Sequence, residues 1–111
     1  MKDFVSSIKT FFERFGADYT PEAIASLTAD MEKIAASPEA STCYQRQIDS
    51  YRTTDRVDRT FMNKEVKSAA LFAGIGEKAS LLLMLILLTE HMEELYQYKN
   101  ISPQIYIDSV R

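Results

Sequence analysis

The residues of this 111-residue chain that could do chemistry are few, and their spacing limits what they could do together. The one histidine, His91, has Glu90 before it and Glu94 three residues after it, so His91 and Glu94 share a helix face. A di-metal site in a helical bundle uses Glu-x-x-His on two helices plus two further carboxylates. Here Leu88 stands three residues before His91, and there is no second histidine. His91 is expected to be structural, in a wet last turn. The one cysteine, Cys43, has a single basic residue within a helical turn, Arg46, which is expected to lower the thiol pKa a little. With no base and no oxyanion site in the pattern, no nucleophilic role follows. Gly74-Ile75-Gly76 is too short for a phosphate loop, and no Gly-x-x-x-x-Gly-Lys or Gly-x-Ser-x-Gly pattern occurs. The reading assigns no catalytic, no cofactor-binding and no metal-ligating residue.

Composition narrows the class. A length of 111 residues fits one domain, 1–111, able to bury a core without covalent staples. A lone thiol excludes an internal disulfide and suits a reducing compartment, so a soluble, cytoplasmic protein is expected. The N-terminus has no continuous apolar stretch, and no leader is expected. The longest apolar run, Leu81 to Leu88, is far short of the about 20 residues of a membrane span. Glu77, Lys78 and Glu90 close it off. The net charge of −3 argues against nucleic acid. One stretch is locally basic, with Arg46, Arg52, Arg56, Arg59, Lys64 and Lys67 against Asp49, Asp55, Asp58 and Glu65. Alternating signs mark a solvated face, with an acidic or nucleotide partner as the other reading.

The elements that must position these residues are helices. Phe4, Ile8, Phe11, Phe12 and Phe15 form an aromatic stripe at helical spacing, with core packing the reading over a partner-binding face. Gly16 follows, where a left-handed cap is expected. Thr20-Pro21-Glu22 and Ser37-Pro38-Glu39 are start signals: a hydroxyl cap, then proline at the first helical position. Ile24, Leu27, Met31 and Ile34 give the second helix its stripe. Ala40, Tyr44, Ile48 and Tyr51 give the third. The pattern weakens across Arg52 to Arg59. Phe61, Met62, Val66, Ala69, Ala70 and Phe72 restore it until Gly74-Ile75-Gly76, with Ile75 packing inward. The strongest helix spans about Glu77 to Tyr98. Its apolar run is expected to be the buried centre, with Leu85 inside it and Glu90, Glu93 and Glu94 facing water. Lys99-Asn100 reads as its cap, and Ser102-Pro103 as the start of a last helix through Ile105, Tyr106 and Val110. No stretch alternates with period two. The fold class is all-α, a compact bundle of five to six helices.

The C-terminal third carries one resemblance. Leu81-Leu82-Leu83-Met84-Leu85-Ile86-Leu87-Leu88, then Leu95-Tyr96-Gln97-Tyr98-Lys99-Asn100-Ile101-Ser102, then Ile105-Tyr106-Ile107-Asp108-Ser109, resembles the N-terminal helical domain of bacterial GNAT-like N-acyltransferases. The similarity covers roughly Ala79 to Val110. It implies a non-catalytic accessory domain, followed in a longer enzyme by a GNAT-like catalytic domain, in cis or in trans, that binds acyl-CoA. Nothing in this chain resembles the acyl-CoA strand and pyrophosphate loop, so no site residue is carried over. The alternative class is a stand-alone helical interaction or regulatory protein of the immunity type. Either way the partners expected are proteins, with neither nucleic acid nor membrane, and a homodimer through the last helix is a further option.

Overall fold

The computed structural model describes residues 4–54 and 56–99, with side chains as far as His91. Five α-helices follow one another: α1 Phe4–Phe15, α2 Pro21–Ala36, α3 Pro38–Thr54, α4 Arg59–Ala73 and α5 Glu77–Lys99. No strand occurs among the described residues, and the all-α bundle expected from the sequence is what forms. The last expected helix, Ser102 onward, lies outside the described residues, as does the cap at Asn100.

Each boundary has a local cause. The Thr20 hydroxyl accepts from the Ala23 amide at 3.1 Å and so caps α2. Ser37 does two things at once. Its amide donates to the Ile34 carbonyl, closing α2, and its hydroxyl accepts from the Ala40 amide at 3.2 Å, opening α3. The Asp58 carboxylate accepts from the Phe61 amide at 3.0 Å, ending the weak stretch and starting α4. Gly74 sits at φ 70°, a left-handed conformation glycine adopts without steric cost, and terminates α4. Gly16 departs from its expected role. It opens a short 3-10 turn, Gly16–Asp18, and has no positive φ. The tight turn, in which the Tyr19 amide donates to the Gly16 carbonyl at 3.1 Å, stands there in place of a left-handed cap.

Cross-links fix the helix directions. Tyr44 meets Ser80 and Arg52 meets His91, so α3 and α5 run the same way. Phe4 stacks edge-on against Tyr44 at 5.2 Å, and Arg14 reaches Glu90, so α1 runs with them. Between α4 and α5 the chain bends by 119°. The core between these helices holds Ile8, Phe11, Leu27, Met31, Ile34, Tyr44, Ile48, Met62, Leu83, Met84 and Leu88. Among the described residues no single helix is long and apolar enough to cross a membrane.

Three packing expectations change. Leu81, Leu82 and Leu85 are only partly buried, so the apolar run is enclosed on one side and open on the other. Phe72 is 57% exposed, and its neighbour Leu71 is 85% exposed, because α4 turns Met62, Val66, Ala69 and Ala70 inward. Glu90 and His91 are buried where a wet turn was expected, because α1 and α3 extend past them and bring Arg14 and Arg52.

Candidate functional site

Cys43 lies in the second turn of α3 with no exposed surface. Helical spacing puts Arg46 one turn on, and its Nη2 donates to the Cys43 Sγ at 3.4 Å. The same guanidinium donates through Nε and Nη2 to one oxygen of Glu65 on α4, at 3.1 and 2.8 Å. Glu65 is buried while Arg46 is half exposed, so the pair pins α3 to α4 and keeps one end in water. The thiol pKa is raised, contrary to the expected lowering. Burial raises it most, Glu65 adds to the rise, and Arg46 opposes both without prevailing. A neutral, enclosed thiol is a poor nucleophile.

A measurable consequence follows. Native Cys43 is expected to react with a water-soluble disulfide reagent at neutral pH at least about a hundredfold more slowly than the denatured chain, because thiolate and access are both lacking. Fast labelling of the native protein would contradict its burial. The raised pKa also has a sign for stability. The folded state holds the thiol proton more tightly, so this contribution is fully present below the unfolded thiol pKa and is lost as pH rises through the folded one.

The polar groups of α5 are held in the same structural manner. The Arg14 Nη1 donates to the Glu90 Oε1 at 3.4 Å, while its guanidinium lies over the Phe15 ring at 4.9 Å. The Arg52 Nη2 approaches the His91 Nδ1 at 3.2 Å. A guanidinium nitrogen only donates, so Nδ1 accepts and the imidazole proton sits on Nε2. Glu90 and His91 are adjacent on the helix and point about 100° apart, engaging different helices. They do not form an acid–base pair. Higher up, the Tyr44 hydroxyl donates to the Ser80 carbonyl at 2.6 Å, and the Ser80 hydroxyl donates to the Val66 carbonyl at 2.9 Å. Burial holds the Tyr44 phenol far above its ordinary pKa, and the hydrogen bond with Ser80 offsets only part of the rise. Gln47, 1% exposed, has both amide atoms without a hydrogen-bond partner. Among the described residues no three His, Cys, Asp or Glu side chains gather as a metal ion would need.

No family model, curated protein or solved structure matches this chain.

Two surface features are apolar. The outward side of α5 carries a groove of about 340 Å³ whose walls include Lys78, Ala79, Leu81, Leu82 and Leu85. The other is the corner between α4 and α5, where Leu71 and Phe72 protrude. Sequence reasoning assigned Phe72 and the whole apolar run to the core and so missed both. The overlooked signal was the excess of apolar residues: Leu81 to Leu88 fill every side of a helix on which Leu81, Leu82 and Leu85 stay partly exposed.

Proposed function

We propose that this chain is a non-catalytic helical docking domain that receives an apolar helix of a partner protein in the α5 groove. The groove carries the reading. Among the described residues its walls are apolar except for Lys78 at one end. A small-molecule site of this size normally sets several polar groups to orient its ligand. A groove with one charge at its edge suits the apolar side chains of an amphipathic helix at i, i+3 or i+4 and i+7, with an acidic residue of that helix meeting Lys78. The buried polar groups support the same reading, since the pairs Arg46–Glu65, Tyr44–Ser80, Arg14–Glu90 and Arg52–His91 each tie one helix to another.

In the acyltransferase form of this proposal the incoming surface belongs to a GNAT-like catalytic domain. That form rests on the resemblance across Ala79 to Val110 alone. The immunity-type or regulatory form needs only the groove.

The test has two arms. Native protein is expected to enhance the fluorescence of the apolar dye ANS, and Leu82→Glu to remove most of that signal while the far-UV circular dichroism stays unchanged. A Leu71→Ser/Phe72→Ser variant isolates the groove signal from the corner. Calorimetric titration with acetyl-CoA is expected to be flat. A dark groove overturns the docking reading, and micromolar acetyl-CoA affinity overturns the non-catalytic one.

A further inference from the structure

The α4–α5 corner has a composition unlike the rest of the surface. Leu71 is 85% and Phe72 57% exposed, the two large apolar side chains so displayed among the described residues. Helical spacing places Lys67 one turn before Leu71 and Lys64 one turn earlier, on the same solvent-facing side of α4. After the Gly74-Ile75-Gly76 turn, Lys78 is exposed in the first turn of α5. The acidic residues of this segment are Glu65 and Glu77. Glu65 is buried against Arg46, and Glu77 alone is exposed. In a chain of net charge −3, the corner is therefore positive around an apolar tip.

Area and charge narrow the occupant. Leu71 and Phe72 together offer on the order of 300 Å² of side-chain surface. A stable protein interface takes about 800 Å² from each partner, so a second copy seated on this tip alone would not hold. A bilayer surface needs no shape complementarity. It takes up a few apolar side chains at the boundary between headgroups and acyl chains, and its anionic lipids attract neighbouring lysines. We propose that the α4–α5 corner is a contact for anionic lipid bilayers, with Leu71 and Phe72 entering the boundary region and Lys64, Lys67 and Lys78 meeting the headgroups. This is attachment at the surface and requires no helix to cross. Lys78 also borders the α5 groove, but the apolar tip and the other two lysines lie outside it, so the contact stands or falls separately from the docking reading.

The chain contains no tryptophan, which allows a direct readout. Phe72→Trp places a single reporter at the tip. With full-length protein and vesicles of phosphatidylcholine carrying about one-third phosphatidylserine, its emission is expected to shift to shorter wavelength. Nitroxide-labelled acyl chains are expected to quench it, and pure phosphatidylcholine to have little effect. Cosedimentation of the parent protein with the anionic vesicles is expected to weaken about tenfold in Leu71→Ser/Phe72→Ser and to fall with added salt. Both positions are exposed, so these variants keep the fold, which circular dichroism checks. Absence of vesicle binding, or equal binding by the parent and the double-serine variant, overturns the proposal. So does a concentration-dependent oligomer that the double-serine variant abolishes without any vesicle binding, which would make the corner a protein contact.

Discussion

Leu83→Ala is expected to lower the stability of the fold by about 2–5 kcal/mol, and Leu85→Ala by about 1 kcal/mol. Both residues belong to the same apolar run and differ by two positions. Leu83 has no exposed surface and sits in the core, so its removal forfeits the transfer free energy and leaves a cavity among neighbours that cannot close. Leu85 lines the open groove, where solvent enters the space vacated. Leu88, also without exposed surface, is expected to follow Leu83. Urea denaturation of the three variants measures the difference. Equal losses at Leu83 and Leu85 would mean that the outer side of α5 is covered, and the docking reading would lose its surface.

Tyr44 separates packing from hydrogen bonding. Tyr44→Ala is expected to cost about 3–5 kcal/mol, since a ring 2% exposed is removed from the junction of α3 and α5. Tyr44→Phe keeps the ring and its edge-on contact with Phe4, and loses only the hydroxyl that reaches Ser80 at 2.6 Å. That is expected to cost about 1–2 kcal/mol, the range for one buried hydrogen bond and the space it leaves. Thermal or urea unfolding checks both. A Tyr44→Phe variant as stable as the parent would show that the Ser80 carbonyl is fully satisfied within α5. The hydroxyl would then add nothing to the link between the helices.

The two series mark where sequence patterns stop being informative. Thr20-Pro21, Ser37-Pro38 and Gly74 act through their own backbone geometry, so α2, α3 and the end of α4 were legible at once. The stripe Ala40, Tyr44, Ile48 and Tyr51 was legible because one face of α3 meets a continuous core, and all four are buried. Glu90 and His91 were misplaced because their partners lie 76 and 39 residues away, and such a pairing leaves no local periodicity. The same holds for Arg46 and Glu65, which read as alternating surface charges until α3 and α4 are folded together. Leu71 and Phe72 were hidden by a different limit. Neighbouring residues on a helix point about 100° apart, so an apolar pair beside a core stripe cannot be assigned to either side from spacing. The acyltransferase resemblance falls partly on Asn100 to Val110, outside the described residues.

Ser37 has a consequence for how this fold can change over time. One residue closes α2 with its amide and opens α3 with its hydroxyl, and no other residue separates the two helices. Any length change there carries a large rotational effect. One added residue turns α3 by about 100° about its axis, which would swing Tyr44 and Ile48 outward to the positions now held by Gln45 and Asp49 and put Cys43 and Gln47 in their places. Related chains can therefore vary the identity of the residues around this joint but hardly their number. Insertions and deletions are better tolerated between α3 and α4, beside the exposed Arg56, where the helices are not locked end to end.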